Sequence, residues 1–147
     1  MIGFEQTKWI ARTPEAVFAF ITDAANAPKA MPQIKHMEKL TSGSVAVGTR
    51  YRETRVVNGK EHQAELEVMR FEPPQFYSMR NFTEGIETLY HYTFTSERGG
   101  TRALLKCELK AGGVKKLLLP VVAGILKKED GDHLARLKQA VEAADNG

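Results

Sequence analysis

Glu53 and Arg55 stand two residues apart in Tyr51-Arg52-Glu53-Thr54-Arg55, a stretch that reads as strand, and alternation along a strand places both on the face that Tyr51 shares. A buried carboxylate beside a cation can move a proton or orient a polar group of a ligand. A slip of one residue turns both side chains to solvent instead, where they form an ordinary charge pair. Further tyrosines follow at Tyr77, two residues before Met79, and at Tyr90 and Tyr92, again at strand spacing. Each joins an apolar ring to a hydroxyl that needs a partner when buried. Such a wall suits a flat, oxygen-bearing apolar ligand; plain core packing with hydroxyls at the sheet rim is the competing reading.

Other reactive side chains fall into no constellation. His36, His62, His91 and His133 are scattered, with no His-Glu-x-x-His spacing, so no metal site is expected. Glu129 and His133 lie one helical turn apart and, with Asp132, read as a solvated helix surface. His91 alternates with Tyr90 and Tyr92, which predicts exposure. Cys107 shares an apolar face with Leu105 and Leu109 and reads as an inert buried thiol without a disulfide partner, which suits a reducing compartment. Ser42, Ser44, Ser78 and Ser96 lack any nucleophile motif, and no cofactor is called for. Catalysis, if any, rests on cavity acids, bases and hydroxyls, with Glu53 the candidate.

The elements that position these residues follow from punctuation. Phe4 to Ala11 reads as a first strand. Thr13-Pro14-Glu15 starts a short helix: the threonine caps, the proline fits the first turn and the glutamate favours the N-terminal dipole. That helix breaks over Asp23 to Pro28, and Lys29 to Met31 forms a further turn before Pro32. Strands follow over Ile34 to Leu40, Thr49 to Val57, Glu61 to Phe71, Gln75 to Phe82, Glu87 to Ser96 and Thr101 to Lys110. Asn58-Gly59 predicts a tight hairpin, and strands so closely spaced pair antiparallel. After Gly112-Gly113 a long helix runs to Glu142 and ends on the stripe Leu134, Leu137, Val141.

This order predicts an α+β domain: a twisted antiparallel sheet of about six or seven strands, covered by the one helix long enough to do so. Taking the apolar face of each strand as inward adds Val57, Ala64, Leu66, Val68, Phe94, Ala103, Leu105, Cys107 and Leu109 to the residues above, with Leu119, Val122 and Leu126 opposite them. The helix segment from Leu117 to Leu126 is apolar nearly all round and is flanked by Lys115-Lys116 and Lys127-Lys128. It reads as a cavity lid, or as a contact with a membrane surface or a second subunit. Pro120 sits in the first turn or kinks the helix, and the expected ligand portal lies near Gly112-Gly113.

With 147 residues, 42% hydrophobic and 27% charged, the chain fits one domain over residues 1–147. A net charge of +3 without a clustered basic stripe argues against nucleic acid as a partner. The N-terminal residues lack the pattern of a signal peptide and no apolar run is long enough to span a bilayer, so a soluble cytoplasmic protein is expected.

Taken jointly, Thr13 to Asp23, Asn26-Ala27-Pro28, Val47-Gly48-Thr49-Arg50, Phe71-Glu72-Pro73-Pro74, Gly99-Gly100-Thr101-Arg102 and Leu134 to Glu142 give the sequence its family character. In that order it resembles the START-like helix-grip superfamily, in the polyketide cyclase/dehydrase and lipid-transfer branch. The resemblance implies a helix-grip fold, with the sheet wrapped around the C-terminal helix. It also implies binding or transfer of a small hydrophobic, lipid-like or polyketide-like molecule held between sheet and helix. The alternatives are a cyclase/dehydratase-type enzyme using Glu53 with tyrosine hydroxyls, and a protein-interaction module whose cavity is filled. The sequence departs from its relatives after the Asn-x-Pro turn, where Ala30-Met31 replaces the usual tryptophan and loosens one wall.

Overall fold

Residues Gly100–Ala111 show how the sheet acquires two unlike faces. Ala103, Leu105, Cys107 and Leu109 are at most 3% exposed, while Arg102, Lys106 and Glu108 alternate with them on the partly solvated side. In the computed structural model, which describes residues 2–144 and Glu129 by its backbone alone, this is the last of seven strands. The elements are β1 (Ile2–Ile10), α1 (Pro14–Ile21), α2 (Ala27–Ala30), β2 (Ile34–Lys39), β3 (Arg50–Val57), β4 (Lys60–Glu72), β5 (Phe76–Thr83), β6 (Ile86–Glu97), β7 (Gly100–Ala111), α3 (Leu119–Asp130) and α4 (His133–Ala144). They form one antiparallel sheet in the order β1-β7-β6-β5-β4-β3-β2. The family fold expected from the sequence is present.

Local chemistry explains the joints. Thr13 Oγ1 accepts from the Ala16 amide at 3.2 Å and Pro14 opens α1, as the sequence predicts. Asn58 and Gly59 both take positive φ, 52° and 77°, the backbone of a two-residue hairpin between β3 and β4. A register shift between Val68 and Arg70 lets β4 change parity. Met69 is left outside, and Phe71 turns inward to meet Phe18 edge-on at 5.3 Å.

The expected C-terminal helix is present in two lengths. A 3-10 segment over Gly113–Leu118 precedes α3, Pro120 lies in the first turn of α3, and Gly131-Asp132 separates α3 from α4. Leu134, Leu137 and Val141 of α4 are buried and complete the core with Ile10, Val17, Phe18, Val68 and Phe94. A smaller cluster of Phe4, Cys107, Leu109 and Leu119 lies under α3. Among the described residues no helix is long and apolar enough to cross a membrane.

Candidate functional site

Sheet and helices do not meet everywhere. Between the inner face and α3 and α4 lies a cavity of about 490 Å3, within the range of about 300 to 1,000 Å3 common for small-molecule sites. All four tyrosines of the chain line it. Tyr51 comes from β3, Tyr77 from β5, and Tyr90 and Tyr92 from β6; the rings of Tyr77 and Tyr92 stack with centroids 6.1 Å apart. Met79, Ala64 and Leu66 fill the wall between them, and Val122 and Leu126 close it from α3. Leu119, expected beside them, does not line the cavity. It falls one turn earlier, where α3 crosses β1 and β7, and packs in the second cluster instead.

One pole of the cavity is charged. Glu53 and Arg55 both point inward, and the guanidinium of Arg55 donates through Nε to Glu53 Oε1. Arg55 Nη1 also reaches Asp130 Oδ1 at 3.4 Å, and so ties β3 to the last residue of α3. Asp130 is held in turn by Gln33, whose Nε2 lies 3.4 Å from the same oxygen, and by Gln6, whose Nε2 donates to the Asp130 carbonyl at 2.7 Å. Burial works against the charge on Arg55, but Glu53 and Asp130 outweigh it, and the guanidinium is held more firmly protonated than usual. Glu53 is thus a carboxylate already engaged by a cation.

His133 is the largest correction. Its expected place on a solvated helix surface assumed one unbroken helix. Because the chain breaks at Gly131-Asp132, His133 becomes the first residue of α4, is 5% exposed and lines the cavity. Its Nε2 lies 2.8 Å from the Tyr92 hydroxyl. Burial, and then the positive charge of Arg55, lower its pKa to about 4 against a smaller opposing pull from the Ala30 backbone, so the ring is neutral at pH 7. The Glu129 side chain lies outside the described residues. His91, expected to be exposed, is half-buried on the outer face, where its Nδ1 meets Ser78 Oγ at 2.9 Å and its Nε2 approaches Glu108 at 3.5 Å. Cys107 is buried as expected, and its thiol is pushed up to about 12, by burial first. Among the described residues no group of His, Cys, Asp and Glu is arranged to hold a metal.

Burial also raises the pKa of each of the four tyrosines. They are neutral hydroxyls, donors and acceptors rather than bases. One of them, Tyr51 Oη, is buried in the cavity wall with no hydrogen-bond partner among the described residues. His133 Nδ1 makes no bond of good geometry either, although the Ala30 backbone lies close enough to favour its protonated form.

The sequence matches, over residues 1–142, the model of the family described as polyketide cyclase / dehydrase and lipid transport. The chain belongs to the polyketide cyclase/dehydrase and lipid transport family. Solved structures agree on the fold. The chain superposes on the di-domain ARO/CYC BexL from the BE-7585A biosynthetic pathway with a TM-score of 0.82 at 18% identity, covering 100% of this chain and 48% of that one. TTHA0849 from Thermus thermophilus gives 0.75 at 19% identity over 95% of this chain and 97% of that one. Ara h 8.0201 gives 0.74 at 17% identity over 95% and 97%. No curated protein matches the sequence.

In this member of the family the cavity extends past the residues the sequence singled out. Asn81 and Thr83 continue the parity of Tyr77 and Met79, and Thr88 precedes Tyr90 by two, so carrying the alternation to the strand ends would have found them. The exposed lining residues His62, Thr83 and Glu84 mark a mouth at the ends of β4 and β5. Gly112 and Gly113, the expected portal, are exposed but do not line the cavity. Ala30 and Met31, expected to loosen one wall, are buried and line the cavity.

Proposed function

We propose that this chain binds a small, largely apolar molecule bearing one or two oxygen functions in the cavity, and releases it unchanged as a carrier. The observation that carries this reading is the pairing of a tyrosine-walled space of about 490 Å3 with a buried hydroxyl, Tyr51 Oη, that has no hydrogen-bond partner among the described residues. Burying an unpaired polar group costs about 1–3 kcal/mol, and a ligand oxygen placed against that hydroxyl would offset the cost. A cavity of this size also speaks against a module whose interior is filled by its own side chains. The free, buried Cys107 supports a reducing compartment, and we propose the cytoplasm as the carrier's setting.

A second reading is a cyclase or dehydratase, and one observation favours it: the hydrogen bond between Tyr92 and a neutral His133. That pair can pass a proton to a ligand carbonyl oxygen or take one from the carbon beside it. Glu53, bound by Arg55, is then the group that fixes the guanidinium, and the proton chemistry moves to His133.

Native mass spectrometry of gently purified protein, followed by organic extraction, tests both readings. An apolar molecule copurifying at near-equal stoichiometry supports the carrier. Conversion of that molecule by the purified protein, lost in His133→Gln, replaces the carrier with the enzyme. An empty protein that binds no lipid or aromatic polyketide from a panel overturns both.

A further inference from the structure

The two faces of α3 differ in what they meet. Val122 and Leu126 face the cavity, whereas Val121 and Ile125, one position before each, are 62% and 53% exposed. The 3-10 segment leading into α3 continues the outer surface with Val114 and Leu117, which are 79% and 80% exposed, and with Leu118. Among the described residues these five are most of the large apolar side chains left in water. Lys115 and Lys116 stand among them, and Lys127 and Lys128 follow Leu126; all four are exposed. Lys128 lies seven residues after Val121, two helical turns along the same face. The turn between β5 and β6, with the exposed carboxylate Glu84, lies against this surface: a Cβ added to Gly85 would sit 3.6 Å from Lys115 Cγ. Thr83 and Glu84 of that region are also part of the cavity mouth.

We propose that this surface docks on an anionic lipid bilayer, with the apolar residues entering the headgroup boundary and the lysines meeting acidic headgroups. A short amphipathic helix with lysines beside exposed aliphatic side chains is the form that lies in a membrane interface. Charge decides against a second copy of the chain. A two-fold pairing sets the patch against itself, so the lysines of one copy would face the lysines of the other across an apolar contact. An acidic bilayer supplies the opposite charge instead. Docking in this way sets the cavity mouth beside the membrane, since α3 is both the docking element and one wall of the cavity.

Vesicle cosedimentation of the full chain tests the proposal, comparing phosphatidylcholine vesicles with vesicles of phosphatidylcholine and phosphatidylglycerol. The protein is expected to bind the anionic vesicles, to leave the neutral ones in solution, and to be released by high salt. Val121→Asp with Ile125→Asp should weaken binding at least tenfold while the circular dichroism spectrum stays unchanged. If the aspartates disturb the helix, Val121→Ser with Ile125→Ser addresses the same face. Removing Lys115, Lys116, Lys127 and Lys128 as alanines should cost about fivefold for each lysine that reaches the surface. Absence of binding to the anionic vesicles, equal binding to both kinds, or binding unaltered by the Val121 and Ile125 substitutions overturns the proposal. So does a dimer in sedimentation equilibrium that those same substitutions dissociate. The exposed positions leave the cavity intact, so ligand extraction from the same variants reports separately on the carrier reading.

Discussion

The Tyr92 hydroxyl and His133 Nε2 meet at 2.8 Å, and this contact fastens the middle of β6 to the first turn of α4 across the cavity floor. Both residues are buried, and the imidazole is neutral because burial and the nearby Arg55 disfavour its cation.

That neutrality makes stability depend on pH. The folded pKa of about 4 lies below the ordinary value of 6.5, so between these limits the unfolded chain binds a proton that the folded chain does not. Stability at the site is therefore complete above about pH 6.5, falls as the pH drops, and levels off below about pH 4. The loss across this window is roughly 3 kcal/mol for a shift of this size. Urea denaturation of the protein and of His133→Gln at the two ends of the window checks it. The variant is expected to lose most of the slope; an unchanged slope assigns the pH dependence to other groups.

Arg55 joins Glu53 on its own strand to Asp130 at the end of α3. Arg55→Leu removes the guanidinium from between two buried carboxylates and is expected to destabilise the fold by about 3 kcal/mol. Adding Glu53→Leu to Arg55→Leu should recover a substantial part, because the second change removes one of the stranded charges. Denaturant midpoints of both single variants and the double variant measure the coupling. A double variant no better than the sum of the singles shows that the pair is not energetically linked.

How much of this was legible beforehand depends on what kind of signal each feature leaves. Strand parity is local, so the inward placement of Tyr51, Glu53 and Arg55, of Tyr77 and Met79, and of Tyr90 and Tyr92 could be read from alternation alone. The hairpin at Asn58-Gly59 was equally readable, and Glu84-Gly85 and Arg98-Gly99 repeat its pair of positive φ angles with residues that announce it less clearly. His133 was not legible. Its burial depends on where a helical run is interrupted, and a single glycine at Gly131 is tolerated inside many helices. Once the phase resets there, an imidazole read as surface becomes part of the cavity wall. Leu119 shows the same limit: helical period placed it near Val122, but which side of the sheet edge it lands on depends on the crossing of α3 over β1.

Tyr51 tests the ligand contact without touching the wall. The residue is 1% exposed while its hydroxyl has no hydrogen-bond partner among the described residues. Tyr51→Phe keeps the packing and removes only the oxygen, so stability should stay level or rise by up to about 1 kcal/mol. Affinity for the copurified molecule should fall about tenfold if that hydroxyl meets a ligand oxygen. Titration of extracted ligand into apo protein gives the comparison, and equal affinities place the ligand's oxygen elsewhere.

Ala64 separates a container from a filled core. It lies on β4 directly opposite Glu53 in register and lines the cavity. Ala64→Phe grows a ring into that space. If the space is real, the ring occupies it without displacing neighbours, the denaturation midpoint holds, and the extractable ligand disappears. If the interior were packed to ordinary protein density, the same ring would force side chains off their rotamers and cost about 1–3 kcal/mol, with no ligand to lose. The two outcomes differ on both readouts, stability and bound ligand, so one variant distinguishes them.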